Sequence, residues 1–226
     1  LIVHKARAMA TLRVDELVRA TVNETGRRAS MRNHTATHLL HASLRKVLGT
    51  HVKQAGSVVE PARLRFDFSH YAQVDADELS EIERMANNAI VADTPVNTNQ
   101  MELDKALETG AMALFGEKYG EKVRVVTVGD FSRELCGGTH VHRTGEIGLV
   151  KVVYEGSISA GVRRIEAVTG IGALKRFQET SSLVQKAAGI LRTSENEMLD
   201  HMEKLVAQQR TLERTIDQLK EKLAHS

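Results

Sequence analysis

Two short stretches of the sequence combine side chains that bind transition metals. The first, His34-Thr35-Ala36-Thr37-His38, places two imidazoles four residues apart, and the second, Cys136-Gly137-Gly138-Thr139-His140, places a thiol and an imidazole at the same spacing. On a helix, residues four apart share a face, with Cβ atoms about 6 Å apart. The two glycines of the second stretch indicate a loop that bends sharply. Thiolate and imidazole are both good ligands for zinc, so we expect His34, His38, Cys136 and His140 to bind Zn²⁺.

The role of such a zinc ion is open at this point. Four protein ligands are typical of a structural zinc site, whereas a catalytic zinc keeps a position for water or substrate. The first stretch lacks the glutamate of the zinc-protease pattern His-Glu-x-x-His, which argues against peptide hydrolysis by that route. The alternative to any metal is a group of ordinary histidines and one buried thiol, since the chain has 10 histidines.

The elements that would position these residues are of mixed type. The apolar pattern predicts a helix over 28–48, a second over about 76–92 with an Asp75/Glu78 capping box, and a short one over 103–109 between two extended stretches. Strands are predicted at 57–59, 64–68, 123–128, about 147–154 and 162–168, with short extended pieces in 1–25 and a polar, glycine-rich loop over 129–145. Helices and strands mix without a regular alternation, which predicts an α+β fold with an antiparallel or mixed sheet.

The last quarter of the chain is predicted to be helical. Ser194 and Glu197 have the spacing of a capping box, which would start a long helix. Beyond it, residues recur at alternating spacings of four and three, as in a coiled-coil seam: Met198, Met202, Leu205, Gln209, Leu212, Ile216, Leu219 and Leu223. We expect either a homodimer through this helix or one amphipathic helix packed on its own domain.

Composition limits the other possibilities. Apolar residues make up 42% of the 226 residues, enough for a core, and aromatic residues only 4%. The net charge of +2 neither requires nor excludes a nucleic-acid partner. The single cysteine and the lack of a signal-like N-terminus favour the cytoplasm, and no apolar run is long enough to span a membrane. Because the chain opens at Leu1 and stops within a predicted helix, we expect a fragment of a longer protein.

Six motifs in order resemble the editing domain of alanyl-tRNA synthetase. They are Arg32-Asn33-His34-Thr35-Ala36-Thr37-His38-Leu39-Leu40-His41, Val52-Lys53-Gln54-Ala55-Gly56-Ser57, Leu64-Arg65-Phe66-Asp67-Phe68, Gly116-Glu117-Lys118-Tyr119-Gly120, Glu134-Leu135-Cys136-Gly137-Gly138-Thr139-His140-Val141 and Gly161-Val162-Arg163-Arg164-Ile165-Glu166-Ala167. The resemblance runs from about residue 12 to the C-terminal helix. Six motifs in sequence are far more specific than any one of them.

The resemblance implies a domain that removes wrongly attached serine or glycine from tRNA(Ala). It implies three segments: residues 1–26 as the tail of a preceding β-barrel, 27–170 as the zinc-binding editing domain, and 171–226 as a helical coiled-coil segment. It also implies that charging tRNA with ATP requires a domain outside this chain. The expected partners are the acceptor end of tRNA(Ala) and the rest of the synthetase. The alternatives are a freestanding trans-editing deacylase and a non-catalytic zinc module for tRNA docking and dimerisation.

Several residues receive candidate roles. By resemblance, Gln54 contacts the aminoacyl group, and Glu134 is a general base or orients a ligand histidine. Thr37 could face the pocket and recognise the serine hydroxyl. Arg163 and Arg164 follow a run of small residues and suit a phosphate or the tRNA 3′ end, unless they pair with acids of the sheet.

Overall fold

The computed structural model describes residues 7, 9, 11, 13–113 and 119–225. The elements, in chain order, are α1 (Glu24–Leu48), β1 (Gln54–Val59), β2 (Leu64–Ser69), α2 (Ala76–Val91), β3 (Val96–Glu102), α3 (Leu103–Glu108), β4 (Lys122–Val128), β5 (Ser132–Leu135), a 3₁₀ turn (Thr144–Ile147), β6 (Val150–Ser159), β7 (Val162–Thr169), α4 (Ile171–Leu191) and α5 (Met198–Ala224). Residues 116–118 of the fourth motif, and Leu12, lie outside the described part.

The strands form two antiparallel sheets. The larger has the order β1-β2-β7-β6, and the smaller has the order β3-β4-β5. A single parallel bridge joins Met112 to Glu134. The α+β prediction is confirmed, with antiparallel rather than mixed sheets.

Helix α1 is central to the larger core. Its N-terminus is capped by Asn23, whose side chain accepts a hydrogen bond from the backbone N–H of Gly26, so the helix begins four residues before the predicted start. It ends where predicted, at Gly49, whose φ of 114° disfavours other residue types. Leu39, Leu40 and Leu44 are fully buried with phenylalanines of β2 in one apolar cluster. The opposite side of α1 remains available to the smaller sheet.

The ends of the later helices agree in part with the predicted capping signals. At α2 the predicted capping box is present, because the Asp75 carboxylate accepts from the Glu78 N–H and the Glu78 carboxylate accepts from the Asp75 N–H. The capping box predicted at Ser194 is wrong. The Ser194 hydroxyl donates to the Glu197 carboxylate instead of accepting from the backbone, and α5 begins only at Met198.

Two other predictions are corrected by the backbone. The predicted loop 129–145 contains β5 and the 3₁₀ turn. Strand β5 was missed because its inward-facing residues, Ser132 and Glu134, are polar and give no apolar alternation. Residues 13–23 form no strand before α1, contrary to the extended pieces expected there.

Helix α5 has no buried residue, and the seam residues from Met202 to Leu223 are exposed. The long helix is therefore confirmed, while its coiled-coil partner stays a prediction. Among the described helices, none combines the length and apolar character needed to cross a bilayer.

Candidate metal centre and its surroundings

The four predicted ligands meet at one point between α1 and the loop that follows β5. Helix α1 carries His34 and His38, and the loop carries Cys136 and His140. One ligand atom from each lies within 4.8 Å of all the others. The Cys136 Sγ lies 3.3 Å from His34 Nε2, and the three ring centroids are 4.3 to 5.2 Å apart. Residues about 100 positions apart in the sequence therefore form one cluster.

Hydrogen bonds hold the ligand loop against both the smaller sheet and α1. The Cys136 N–H donates to the carbonyl oxygen of Arg124 on β4 at 3.0 Å. The Arg124 guanidinium in turn donates to the Gly137 carbonyl at 2.9 Å. Beyond the turn, the Val141 N–H donates to the hydroxyl of Thr35 on α1 at 3.1 Å. Both ends of the ligand loop are thus fixed, one to the smaller sheet and one to α1.

One of the two loop glycines is required by the packing of the site. A Cβ atom at Gly138 would lie 2.0 Å from Cε1 of the His34 ring, whereas nothing lies within 4 Å of a Cβ at Gly137. Glycine at 138 therefore lets the loop backbone lie directly against a ligand imidazole.

A buried carboxylate orients one of the ligands. Glu134 is 2% exposed, and its Oε2 lies 2.8 Å from His38 Nδ1. Its Oε1 lies 3.1 Å from His41 Nδ1 and accepts from the Ser132 hydroxyl at 3.2 Å. Since Nδ1 of His38 is occupied, Nε2 is the nitrogen left for a metal, as in the carboxylate–histidine–zinc arrangement.

The charges of the cluster are strongly coupled. Burial disfavours the charged form of His38, but the Glu134 carboxylate and the Cys136 sulfur outweigh it and raise its pKa to about 10. Burial also opposes the thiolate of Cys136, yet its interactions with the surrounding imidazoles, with His140 first, lower its pKa to about 3. The pKa of Glu134 lies well below its usual range, because the interactions with His38 outweigh burial. Burial lowers the pKa of His140.

The donor set fits a zinc ion. Nε2 of His38 and Nε2 of His140 are both buried and have no hydrogen-bond partner among the described residues. Orphaned buried nitrogens are costly unless something binds them. With one sulfur and three nitrogen ligands, zinc bonds of about 2.0 to 2.3 Å in a tetrahedron would bring the ligand atoms about 3.3 to 3.6 Å apart, closer than the 4.8 Å limit seen here. One thiolate and three imidazoles are a ligand set that zinc favours over magnesium or calcium.

The two residues predicted to contact the aminoacyl group, Gln54 and Thr37, lie in half-buried and buried positions. Gln54 is the first residue of β1, half-buried and opposite Phe68. Thr37 is 4% exposed, and its hydroxyl donates to the carbonyl of Asn33 at 2.8 Å. Their contacts with an aminoacyl group stay predictions.

Both arginines predicted to bind tRNA are held in ion pairs within the larger sheet. Arg163 is 8% exposed, and its Nη2 lies 2.8 Å from the Glu155 carboxylate. Arg164 makes a bidentate pair with Asp67 at 2.7 and 2.9 Å. Pairing with acids of the sheet was the alternative to phosphate binding that the sequence analysis gave for these two arginines. Their contact with an RNA phosphate stays a prediction.

The sequence reasoning missed His41 and Ser132 as parts of the site. His41 lies three residues after His38, on the same face of α1, and this spacing was the available signal. Ser132 gave no signal, because its contact with Glu134 depends on the unpredicted strand β5.

Comparison with known proteins agrees with the resemblance. Residues 123–166 match the family described as "Threonyl and Alanyl tRNA synthetase second additional domain". An alanine–tRNA ligase of Solibacter usitatus (strain Ellin6076) is 59% identical over 226 residues, covering 100% of this chain and 26% of that protein. The alanine–tRNA ligase of Fervidobacterium nodosum is 50% identical over 223 residues, covering 99% of this chain and 26% of that protein.

A third alanine–tRNA ligase, from Desulforamulus reducens, is 47% identical over 227 aligned residues, again 100% of this chain and 26% of the relative. The chain thus spans about a quarter of the length of these curated relatives.

Proposed function

Since the chain belongs to the alanyl-tRNA synthetase family and matches a segment of its members from end to end, we propose that it is their editing deacylase. The proposed reaction is hydrolysis of the ester that joins serine or glycine to the terminal ribose of tRNA(Ala). The observation that carries the proposal is the convergence of His34, His38, Cys136 and His140, backed by a buried carboxylate. The proposed partners are the acceptor end of tRNA(Ala) and the remaining part of the synthetase. A cytoplasmic location stays a prediction.

The ligand residues define what a bound zinc could do. His34 and His38 hold one side of the site on a rigid helix, and Cys136 and His140 hold the other on an anchored loop. Zinc bound there would supply positive charge that can position the substrate or lower the pKa of a bound water. Because four side chains already surround the point, we favour positioning, which can itself contribute much of the rate.

Glu134 is better suited to orienting His38 than to taking a proton from water. Oε2 is engaged by His38, and Oε1 by His41 and Ser132. A general base must reach the proton that it abstracts, within about 3 Å or through one water. With Oε2 bound to His38, Oε1 bound to His41 and Ser132, and 2% of the residue exposed, Glu134 is poorly placed to reach a substrate water.

Specificity requires rejection of correctly attached alanine. A pocket that hydrogen-bonds the serine hydroxyl leaves polar groups unpaired when alanine enters, which penalises alanine strongly. We propose Gln54 and Thr37 for this contact, since each is half-buried or buried and each has a side-chain oxygen. The Thr37 hydroxyl already donates to Asn33, so its free lone pairs would accept from the substrate.

The test is a deacylation assay on seryl-, glycyl- and alanyl-tRNA(Ala), with zinc content measured in parallel. We expect release of serine and glycine with alanyl-tRNA spared, and about one zinc per chain. The Cys136→Ala variant should lose zinc and activity together. Thr180→Ala, which removes an exposed hydroxyl of α4 that donates to the Arg176 carbonyl, is the control. If the wild-type protein binds tRNA but releases no serine, the deacylase function is excluded and the non-catalytic zinc module for tRNA docking remains.

Helix α5 supports a second, separate role in association. Its seam residues Leu212, Ile216 and Leu219 are 62%, 49% and 53% exposed, which is unusual for a row of large apolar side chains. We propose that this seam packs on a second helix, from another copy or from the rest of the synthetase. If the seam makes a homodimer, deleting 195–226 should convert the dimer to a monomer in solution. An unchanged oligomeric state would exclude the homodimer. The freestanding deacylase is less well supported, because the three relatives named above are each about four times longer than this chain.

A further inference from the structure

A cleft of about 760 Å³ lies beyond the buried end of the Glu134 network. Its walls are the last turns of α1, the end of α3 and the turn between β4 and β5; they include Ala42, Lys46, Gly110, Phe131, Ser132 and Arg133. Ser132 belongs both to this wall and to the Glu134 network, since its hydroxyl donates to that carboxylate. We call this feature the α1–β5 cleft.

Three cations line the α1–β5 cleft without a carboxylate partner. Arg45, Lys46 and Arg133 form no ion pair with any acid among the described residues, although Asp130 also lines the wall. Backbone and aromatic contacts hold them instead. Arg45 donates to the carbonyls of Thr50 and Val52, each at 2.7 Å.

The other two cations are also fixed in place with their charge unneutralised. The Lys46 ammonium lies 4.0 Å above the centre of the Phe131 ring, a cation–π contact that leaves its N–H groups free to donate. Arg133 donates through Nη1 to the Thr109 carbonyl. Fixed cations with no anionic partner, gathered in a concave surface, create the positive potential that attracts phosphate.

We propose that the α1–β5 cleft binds the phosphodiester backbone of the RNA strand whose aminoacylated end enters the metal centre. This inference rests on the proposed deacylase function and adds where the strand lies. Its direct support is the contrast in charge. The cleft cations lack carboxylates, whereas both Arg163 and Arg164 are neutralised by Glu155 and Asp67.

The position of the cleft suits a strand that continues from the metal centre. Helix α1 carries the ligands His34 and His38 and, further along, Arg45 and Lys46. The midpoints of these two pairs are about 14 Å apart along the helix axis, at a rise of about 1.5 Å per residue. Strand β5 runs beside the helix in the opposite sense, with Glu134 near His38 and the preceding turn near Lys46. The separation is on the scale of a few nucleotides.

A competing explanation is that these cations serve only the fold. Arg45 and Lys46 lie in the last turn of α1, where positive side chains offset the negative end of the helix dipole. That explanation predicts lower stability and unchanged RNA affinity when the charges are removed. The two explanations therefore differ in a measurement.

The experiment uses the complete chain and a fluorescent acceptor-stem minihelix of tRNA(Ala) that ends in CCA. The double variant Lys46→Gln/Arg133→Gln is compared with Lys186→Gln/Lys204→Gln, which removes two exposed cations from α4 and α5. We expect the cleft variant to bind about tenfold or more weakly at low salt, with the control near wild type. The slope of log affinity against log salt should fall by about 1.4, for two phosphates at about 0.7 each. With seryl-minihelix, KM should rise while kcat changes little.

Further variants separate loss of charge from loss of fold. Lys46→Arg keeps the charge and should restore most of the affinity. Lys46→Glu is an independent test, because the side chain lies on the exposed side of the Phe131 ring. An unchanged affinity and salt slope in the cleft variant would overturn the proposal, as would an equal loss in the control. RNA binding that depends on the cleft, without serine release by the wild type, would support this inference and count against the deacylase function.

Discussion

Glu134→Gln is the most informative single substitution at the metal centre. In the wild type, both oxygens accept hydrogen bonds from imidazole Nδ1 atoms, at 2.8 Å from His38 and 3.1 Å from His41. Glutamine has nearly the same shape but only one acceptor oxygen, so its amide nitrogen must face one of the two rings. Facing His38, it would favour the tautomer with hydrogen on Nε2, which cannot ligate a metal.

The expected loss of zinc affinity depends on which of these two orientations the amide takes. Changing the partner of a metal-ligating histidine costs about 10- to 100-fold in metal affinity, or about 1.4 to 2.7 kcal/mol. We expect the lower value if the amide oxygen keeps His38, and the upper value if the amide nitrogen turns towards it. Competition with a zinc chelator measures the affinity. The control is Glu108→Gln, an exposed carboxylate at the end of α3 with no ion pair to a described residue.

The activity of the same variant distinguishes positioning from base catalysis. If Glu134 acts by orienting His38, serine release should recover when enough zinc is added to saturate the weakened site. The opposite pattern, in which zinc affinity is unchanged and kcat stays low at saturating zinc, would refute the reasoning and identify Glu134 as a base.

Two further predictions concern the loop and the protons of the site. Gly138→Ala should weaken zinc binding by about tenfold or more, because the new methyl group must displace the His34 ring. The control, Gly137→Ala, should bind zinc like the wild type, since nothing lies within 4 Å of a Cβ there. Competition with a chelator measures both affinities. Zinc binding near pH 7 should release about one proton, from His38 rather than from Cys136, because the first has a pKa of about 10 and the second of about 3 without metal. Calorimetry in buffers of different ionisation enthalpy counts that proton, and release of none would contradict the assigned charges.

The sequence was sufficient for the ligand set because both halves are local patterns. His34 and His38 share a helix face, and the glycines between Cys136 and His140 fit a bent loop. Motifs in a fixed order then joined the two halves and indicated the family. Apolar periodicity also predicted α1, α2 and four of the seven strands of the larger and smaller sheets close to their observed ends, whereas the largely exposed β3 gives no such pattern.

The missed features depend on contacts distant in sequence. Strand β5 has polar residues facing inward, so its pattern resembles a loop until Glu134 is seen to meet His38. The pairing of Arg163 with Glu155 and of Arg164 with Asp67 depends on the register of β7 with its neighbours, which no local pattern specifies. The sequence therefore could not show that both arginines are paired with acids, and their contact with RNA stays a prediction.

The charges of the cluster themselves favour the convergence of its four side chains. With its pKa raised to about 10, His38 is a cation between two anions, the Glu134 carboxylate and the Cys136 thiolate. Because this pKa lies above the unfolded value of about 6.5, the stability that it contributes is complete below that pH and is lost as the pH rises through about 10. The thiolate contributes in the opposite sense, fully above its unfolded pKa of about 9 and not at all below about 3. Between these limits the His38 imidazolium stabilises the two neighbouring anions, and so the fold that brings the two halves of the ligand set together.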